Sequence, residues 1–538
     1  MNMDHLKVAA LSVALIGLGA CVTPEDSIES VAIEPDKLEG HMRFLADDAL
    51  GGRETASLGL YVSANYVASQ FRSYGLEPGG DAGAYFQTVP LRQSARDPSG
   101  SVFRLHRNND EIDLASGEDF FVSPAITSTE SSVTGPVVFV GYGIHSPDQG
   151  FDDYAGLDVN GKIVAILGGR SRVSAQLDPH VTPRPSQAAE MNGAVGTITL
   201  TLPGVTADEG FATGAKPDRR PLTTWTDEEG QPFSSTRYTV GTEINATLSS
   251  AASARLLQGA ERSYSDLVAE AQSGENPPLG FEIPLEVTIG QRSIHSAAES
   301  RNVLAILRGS DPELADEYVV ITCHLDHVGI GGAVGGDSIY NGAMDNATGV
   351  AFMLEVARAL AMAPDRPKRS ILFYATTAEE HGLIGSSYFV NNPTVPLENI
   401  VANINVDAPR MFWPFDEITA FGAEHATLKT SIREAVESLG YTLDEGIRFE
   451  SGASDHFSFL RAGVPGTRVI PAVRSSDPGI DAEEIMRMYR PHQPSDDLTL
   501  PFDYEIGAEF TSVIRTIVRR LADAEERPQW IKGDPLAR

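Results

Sequence analysis

From about residue 300 onward the chain repeats one pattern: a short apolar run, a helical stretch, then another apolar run. NVLAILRG, EYVVITCHLD, RSILFYATTAEE and ENIVANINVD read as strands, because brief runs rich in branched and aromatic residues suit a strand buried on both faces. Between the second and third, GVAFMLEVARALAMA puts Val350, Met353, Leu354, Ala357, Leu360 and Ala361 on one helical face. Strands alternating with helices predict an α/β fold with a mixed, largely parallel central sheet flanked by helices. Such a sheet also predicts where a ligand sits, namely beyond the carboxyl ends of its strands.

Unusual polar residues fall at those ends. The second strand runs into His324 and Asp326, the third into Glu379 and Glu380, and the fourth into Asp407. Asp345 precedes the helix, and His492 lies in a late loop, YRPHQPSDD. Each residue has a plain alternative: Asp345 as a helix cap, the glutamates as solvated charges, His492 as an ordinary loop histidine. Their shared position is harder to explain that way. Adjacent carboxylates ending a buried strand repel unless a cation neutralises them, and a metal centre supplies one, leaving the other carboxylate free as a base.

Bulk properties narrow the partners. At 538 residues the chain exceeds one ordinary core, and 41% hydrophobic content is ample to fold. A formal net charge of −33 argues against nucleic acid, which needs concentrated positive charge. LGLYVSANYVASQF predicts a helix burying Leu60, Ala64, Val67, Ala68 and Phe71 and closed by Gly75. From about 128 to 290 the texture turns to short β-rich runs, GPVVFVGYGI and GKIVAILGG among them, which reads as an inserted domain. The expected division is therefore 37–127 and 291–530 for the main domain and 128–290 for the insert.

The N-terminal apolar run, residues 8–18, is too short to span a bilayer and fits the core of a signal peptide, so residues 1–20 are set aside and 21–36 read as a tether. The run ends in Leu18-Gly19-Ala20-Cys21, which resembles a bacterial lipobox and implies lipidation at Cys21 and an exported, membrane-anchored lipoprotein. After Cys21 only Cys323 remains, so the mature chain has no internal disulfide to form.

Taken in order, the segments resemble the M28 family of zinc metallopeptidases: His324-Leu325-Asp326, then NGAMDNATG over 341–349, then AEEHGLIGS over 378–386, Asp407 in INVDAPR, Ser454-Asp455-His456, and His492. FLADDALGGR is similar to the family's N-terminal segment, and VGYGIHSPDQGFDDYAGLDVNGKIVAILGG to the protease-associated (PA) domain that some members insert. The resemblance implies a zinc-exopeptidase type of fold and two zinc ions bridged by Asp345. One ion would also take His324 and Asp407, the other Glu380 and His492. It further implies Glu379 as the general base acting on metal-activated water, Asp326 as the residue orienting His324, and a cis bond between Asp345 and Asn346. The activity implied is that of an aminopeptidase acting on peptide substrates. Carboxypeptidase, dipeptidase and glutaminyl-cyclase-like activities use similar centres, and a receptor-like binding protein is the non-catalytic alternative.

Two positions depart from the family pattern. Met344 stands where an acid often precedes the bridging aspartate, and Pro491 where a tyrosine often precedes the last histidine, leaving Tyr489 as the nearby candidate for oxyanion assistance. Asp455 and His456 are candidates for the substrate-side wall, while His327 and His381 read as non-ligands. A metallo-β-lactamase-like site is a weaker reading of TCHLDH, since Thr322 occupies the first histidine position and Glu379-Glu380 is left unexplained.

Overall fold

The computed structural model describes residues 31–169, 171, 173–216, 220–235, 241, 244–273, 278–444, 454–472 and 491–537. Cys21, the export segment and Tyr489 lie outside the described residues.

The chain opens with helices α1 (Pro35–Leu45) and α2 (Leu58–Ser73), and the five apolar residues expected to face inward from α2 are buried. Ser57 begins α2 by accepting the Leu60 N–H at 3.2 Å, satisfying one of the donors that a helix start leaves open. There follow β1 (Phe86–Arg107), β2 (Glu130–Phe139), β3 (Ile163–Leu167), β4 (Gly196–Leu200), β5 (Ile244–Leu248) and β6 (Phe281–Leu307). The remaining elements that matter here are β7 (Tyr318–His324), α3 (Thr348–Ala361), β8 (Ser370–Thr376), β9 (Ile400–Asn405), β10 (Glu417–Phe421), α4 (Leu428–Glu437), β11 (Gly466–Pro471) and α5 (Tyr504–Asp523).

One sheet runs through both halves of the molecule, in the order β10, β11, β9, β7, β8, β6, β2, β3, β4, β5. Neighbours β8, β7, β9 and β11 are parallel, and β6 and β10 pair antiparallel at either side of them, so this half is mixed and largely parallel. Every residue of β7 is buried; Val319, Ile321 and Cys323 face the core with α3 and α5, and Tyr318 and Val320 face the opposite core with Leu372 and Phe389. That alternation is the strand period of two, covered by helices on both sides.

The insert departs from expectation in two ways. Strands β2 to β5 are mutually parallel and accompanied by the helices Pro185–Met191, Val205–Ala215, Ser250–Leu256 and Tyr264–Ser273, so the unit is α/β rather than simply β-rich. Its core also starts earlier than residue 128: Phe103, Leu105, Leu114 and Phe120 pack with Val137, Ile163, Ile198 and Val287. The cause is the pair β1 and β6, 22 and 27 residues long, which cross from one half to the other and carry core positions into each. A boundary inside a continuous strand leaves no change of texture to read.

Helix α3 is buried over nearly its whole surface because the sheet covers one side and α1 and α5 the other. Glu355 and Arg358 are therefore enclosed with it, joined by Arg358 Nε and Nη2 to the two carboxylate oxygens at 2.7 Å each. Burial pushes Glu355 upward, but His41 and Arg358 outweigh it and hold the carboxyl at about 2. A carboxyl whose folded value is depressed adds stability above its unfolded value and loses it as pH falls through the folded value. The stability advantage of wild type over Glu355→Gln should thus be full above about pH 5 and vanish toward pH 2. Urea midpoints measured across that range test it; a difference independent of pH would remove the pair as its source.

Candidate metal centre

Three adjacent parallel strands deliver the site. His324 is the last residue of β7, Asp407 follows β9 by two residues, and Glu379 and Glu380 follow β8 by three and four, all on one edge of the sheet. Asp345 is brought in by the loop ahead of α3. It does not cap that helix, whose N-cap is Ala347 with no side-chain cap bond. Instead its Oδ1 lies 3.0 Å from His324 Nε2, which is also 3.2 Å from Asp407 Oδ1. Across Asp345, Oδ2 lies 3.5 Å from His492 Nε2, itself 3.2 Å from Glu380 Oε1.

The donors form two groups that share Asp345: His324, Asp345 and Asp407 in one, His327, Asp345 and Glu380 in the other. His327, read from sequence as a bystander, sits with Nδ1 2.9 Å from Glu380 Oε1, so two histidines meet the second group. His327 is fully buried, whereas the His492 side chain is 43% exposed. The expected cis peptide is present at Asp345–Asn346.

These residues fit divalent metal. Imidazole nitrogen and carboxylate oxygen are the donor types that zinc and its neighbours take. His327 Nε2 is buried without a hydrogen-bond partner, which costs free energy unless a cation completes it. Burial opposes charge throughout, yet His324 holds its proton well above the usual histidine range because Asp345 and Asp407 outweigh burial. In the same way His324 and His492 hold Asp345 low, and His327 and His492 hold Glu380 low, against burial. Glu379 goes the other way: burial, then repulsion from Glu380, Asp407 and Asp455, raises it well above the usual range against the pull of His324.

The supports were mostly hidden in the sequence. The Asp326 carboxylate was expected to orient His324; the contact to His324 Nδ1 is instead through the Asp326 main-chain oxygen, at 3.0 Å. Its carboxylate accepts the N–H groups of Glu379 at 3.0 Å and Glu380 at 3.2 Å and the Thr55 hydroxyl at 3.2 Å, so it fixes the turn carrying both glutamates. The reason is that β7 and β8 are neighbours: the side chain after one strand end reaches the main chain after the next. Asp496 does likewise for the other loop, accepting from Met344 N at 2.8 Å and Asp345 N at 3.0 Å, and burial pushes it up to about 6. Asn346 joins that loop to the segment just after β9 through Val406 O at 3.0 Å and Ala408 N at 3.1 Å. Ser454 donates to Asp407 Oδ2 at 2.6 Å.

Asp455 and His456 do not present a wall to solvent. Both are fully buried; Asp455 accepts from Thr376 at 2.6 Å and burial raises it to about 6, while His456 turns toward His180 of the insert. Neither offers surface to a substrate in this arrangement. Cys323 is a buried strand residue, as expected, its thiol donating to Met353 Sδ at 3.6 Å. His381 contacts Glu54 at 2.8 Å rather than either donor group.

Fold and donor set together define an α/β protein with metal-type ligands gathered at one edge of its sheet. Residues 302–518 match the family model of Peptidase family M28. The chain is 28% identical over 243 residues to Aminopeptidase YwaD of Bacillus subtilis (strain 168), covering 44% of this chain and 48% of that protein. It is 37% identical over 199 residues to Aminopeptidase NAALADL1 of Mus musculus, covering 35% of this chain and 23% of that protein. The match thus spans less than half the length of either relative. Among solved structures, the Aminopeptidase from Aneurinibacillus sp. strain AM-1 has the same fold, with a TM-score of 0.52 at 19% identity over 94% of this chain and 97% of that one.

Proposed function

We propose that this protein is a two-zinc aminopeptidase that hydrolyses the peptide bond after a free N-terminal residue. The observation that carries the reading is a pair of donor groups sharing Asp345, with Glu379 outside both and anchored beside them by its own N–H and that of Glu380, which both bond Asp326. The relatives' names, both aminopeptidases, support the direction of attack.

His324, Asp345 and Asp407 would hold one ion, and Asp345 and Glu380 with His327 or His492 the other. Bound there, zinc would supply Lewis acidity to polarise the scissile carbonyl and acidify the attacking water. Glu379 takes the proton from that water at its carboxylate and passes it to the leaving amine. Asp326 keeps the carboxylate in reach by clamping the backbone of Glu379 and Glu380. The insert, which we propose to be a PA-like unit, reaches the same edge: Arg220 donates to Glu54 Oε1 at 3.0 Å and lies 2.9 Å from His381 Nε2, one residue beyond Glu380.

The test is a panel of amino-acid anilides with free amines beside their N-acetylated forms, assayed before and after chelation. Cleavage of the free forms only, abolished by chelator and restored by zinc, is expected. Release from the carboxyl end of short peptides would make it a carboxypeptidase instead. Full metal occupancy with no cleavage of any peptide or amide would sink the enzymatic reading.

A further inference from the structure

A second cluster of metal-type donors lies outside this centre, where the insert meets the main domain. Asp178 and His180 come from the insert, in the stretch ahead of the helix Pro185–Met191; His425 comes from the turn between β10 and α4. One donor atom from each lies within 4.8 Å of the others. Asp534 Oδ2 accepts from His425 Nδ1 at 2.8 Å, which leaves the lone pair on Nε2. That Nε2 has no hydrogen-bond partner, its side chain is 5% exposed, and it faces Asp178 Oδ2 at 3.4 Å. His180 is held by Asp178 Oδ1 at 3.0 Å through Nδ1, and its Nε2 lies 3.2 Å from His456 Nε2.

We propose that Asp178, His180 and His425 form a separate structural metal site, taking a divalent transition ion of the zinc class. Two imidazoles and one carboxylate suit such an ion, whereas calcium and magnesium prefer oxygen donors throughout. The Asp534–His425 pair is the outer carboxylate contact that fixes a ligating imidazole in its tautomer. An ion here staples two segments 245 or more residues apart in sequence. It does so beside His456, whose neighbours Asp455 and Ser454 bond Thr376 and Asp407, so the staple also braces the back of the catalytic edge.

The alternative is a cluster held by imidazolium–carboxylate pairs with no ion, and metal counting separates the two. The full chain is dialysed against zinc, then against metal-free buffer, and its zinc measured per chain. His425→Gln should retain one equivalent less than wild type, and Asp178→Asn, on the insert side, should lose the same equivalent if His425→Gln fails to fold. The same loss is expected in a His324→Ala, Glu380→Gln background, where the first centre is disabled. Equal zinc in wild type and a folded variant would overturn the proposal. A wild type whose retained zinc is lost only through Asp178 or His425 would overturn the two-zinc reading while leaving this one standing.

Discussion

Glu379→Gln is expected to keep its zinc and lose turnover on the order of 10²- to 10⁴-fold, the usual contribution of a positioned general base. Glutamine is nearly the same size, and the two backbone bonds from this turn to Asp326 do not involve the Glu379 side chain, so the local geometry should survive. What goes is the carboxylate that accepts the proton. Glu380→Gln is the matched contrast, because Glu380 belongs to the second donor group with His327 and Asp345. It should lower the zinc retained after dialysis as well as the rate. Elemental analysis and anilide kinetics on both variants decide the matter. Wild-type rates for both, or equal metal loss from both, would undo the assignment of base and ligand.

Arg53→Met should cost stability on the order of 3–5 kcal/mol, the range seen when one partner of a buried charged network is removed. Arg53 is 1% exposed, and its guanidinium reaches four main-chain oxygens. Nε donates to Leu325 O at 2.9 Å, Nη1 to Asn341 O at 2.6 Å and to Leu45 O, and Nη2 to Gly342 O at 3.0 Å. One side chain therefore ties α1 to the segment after His324 and to the loop that carries Asp345. Burial pushes its pKa down to about 10, with Asp496, Asp326, Asp345 and Glu380 resisting, so it stays charged near neutral pH. Removing it strands carbonyl acceptors and leaves the carboxylates without their buried counter-charge. Lysine cannot replace the planar fork, so Arg53→Lys should recover only part of the loss. Urea unfolding of the three proteins measures this. A Met variant within 1 kcal/mol of wild type would mean the network is dispensable.

The central strands and their end residues were legible because both signals are local. A continuous apolar run marks a buried strand, and the residue that ends it lands on a known edge of a parallel sheet. That is why His324, Glu379, Glu380 and Asp407 were found as candidates and why the structure collects them together with Asp345 and His492. The role of Asp326 was misjudged because adjacency in sequence suggested His324 as its partner, whereas the neighbouring strand brought it Glu379 and Glu380, 53 and 54 residues away. His327 looked like a motif neighbour that only packs; its placement depends on the path of the loop after β7, which no periodicity encodes.

Helical and strand periods, the order of motifs and the chemistry of their side chains determined by themselves that this chain forms an α/β sheet and carries a metal-type donor set along one edge of it. Only the tertiary structure decided how that set is held. Asp496 grips Asp345 from 151 residues away, Arg53 grips the loop at Gly342 from 289, and the insert shares two long strands with the domain it was expected to interrupt. Contacts of that kind depend on which loops the packed sheet and helices bring together, and a local pattern of residues carries no information about its distant partner.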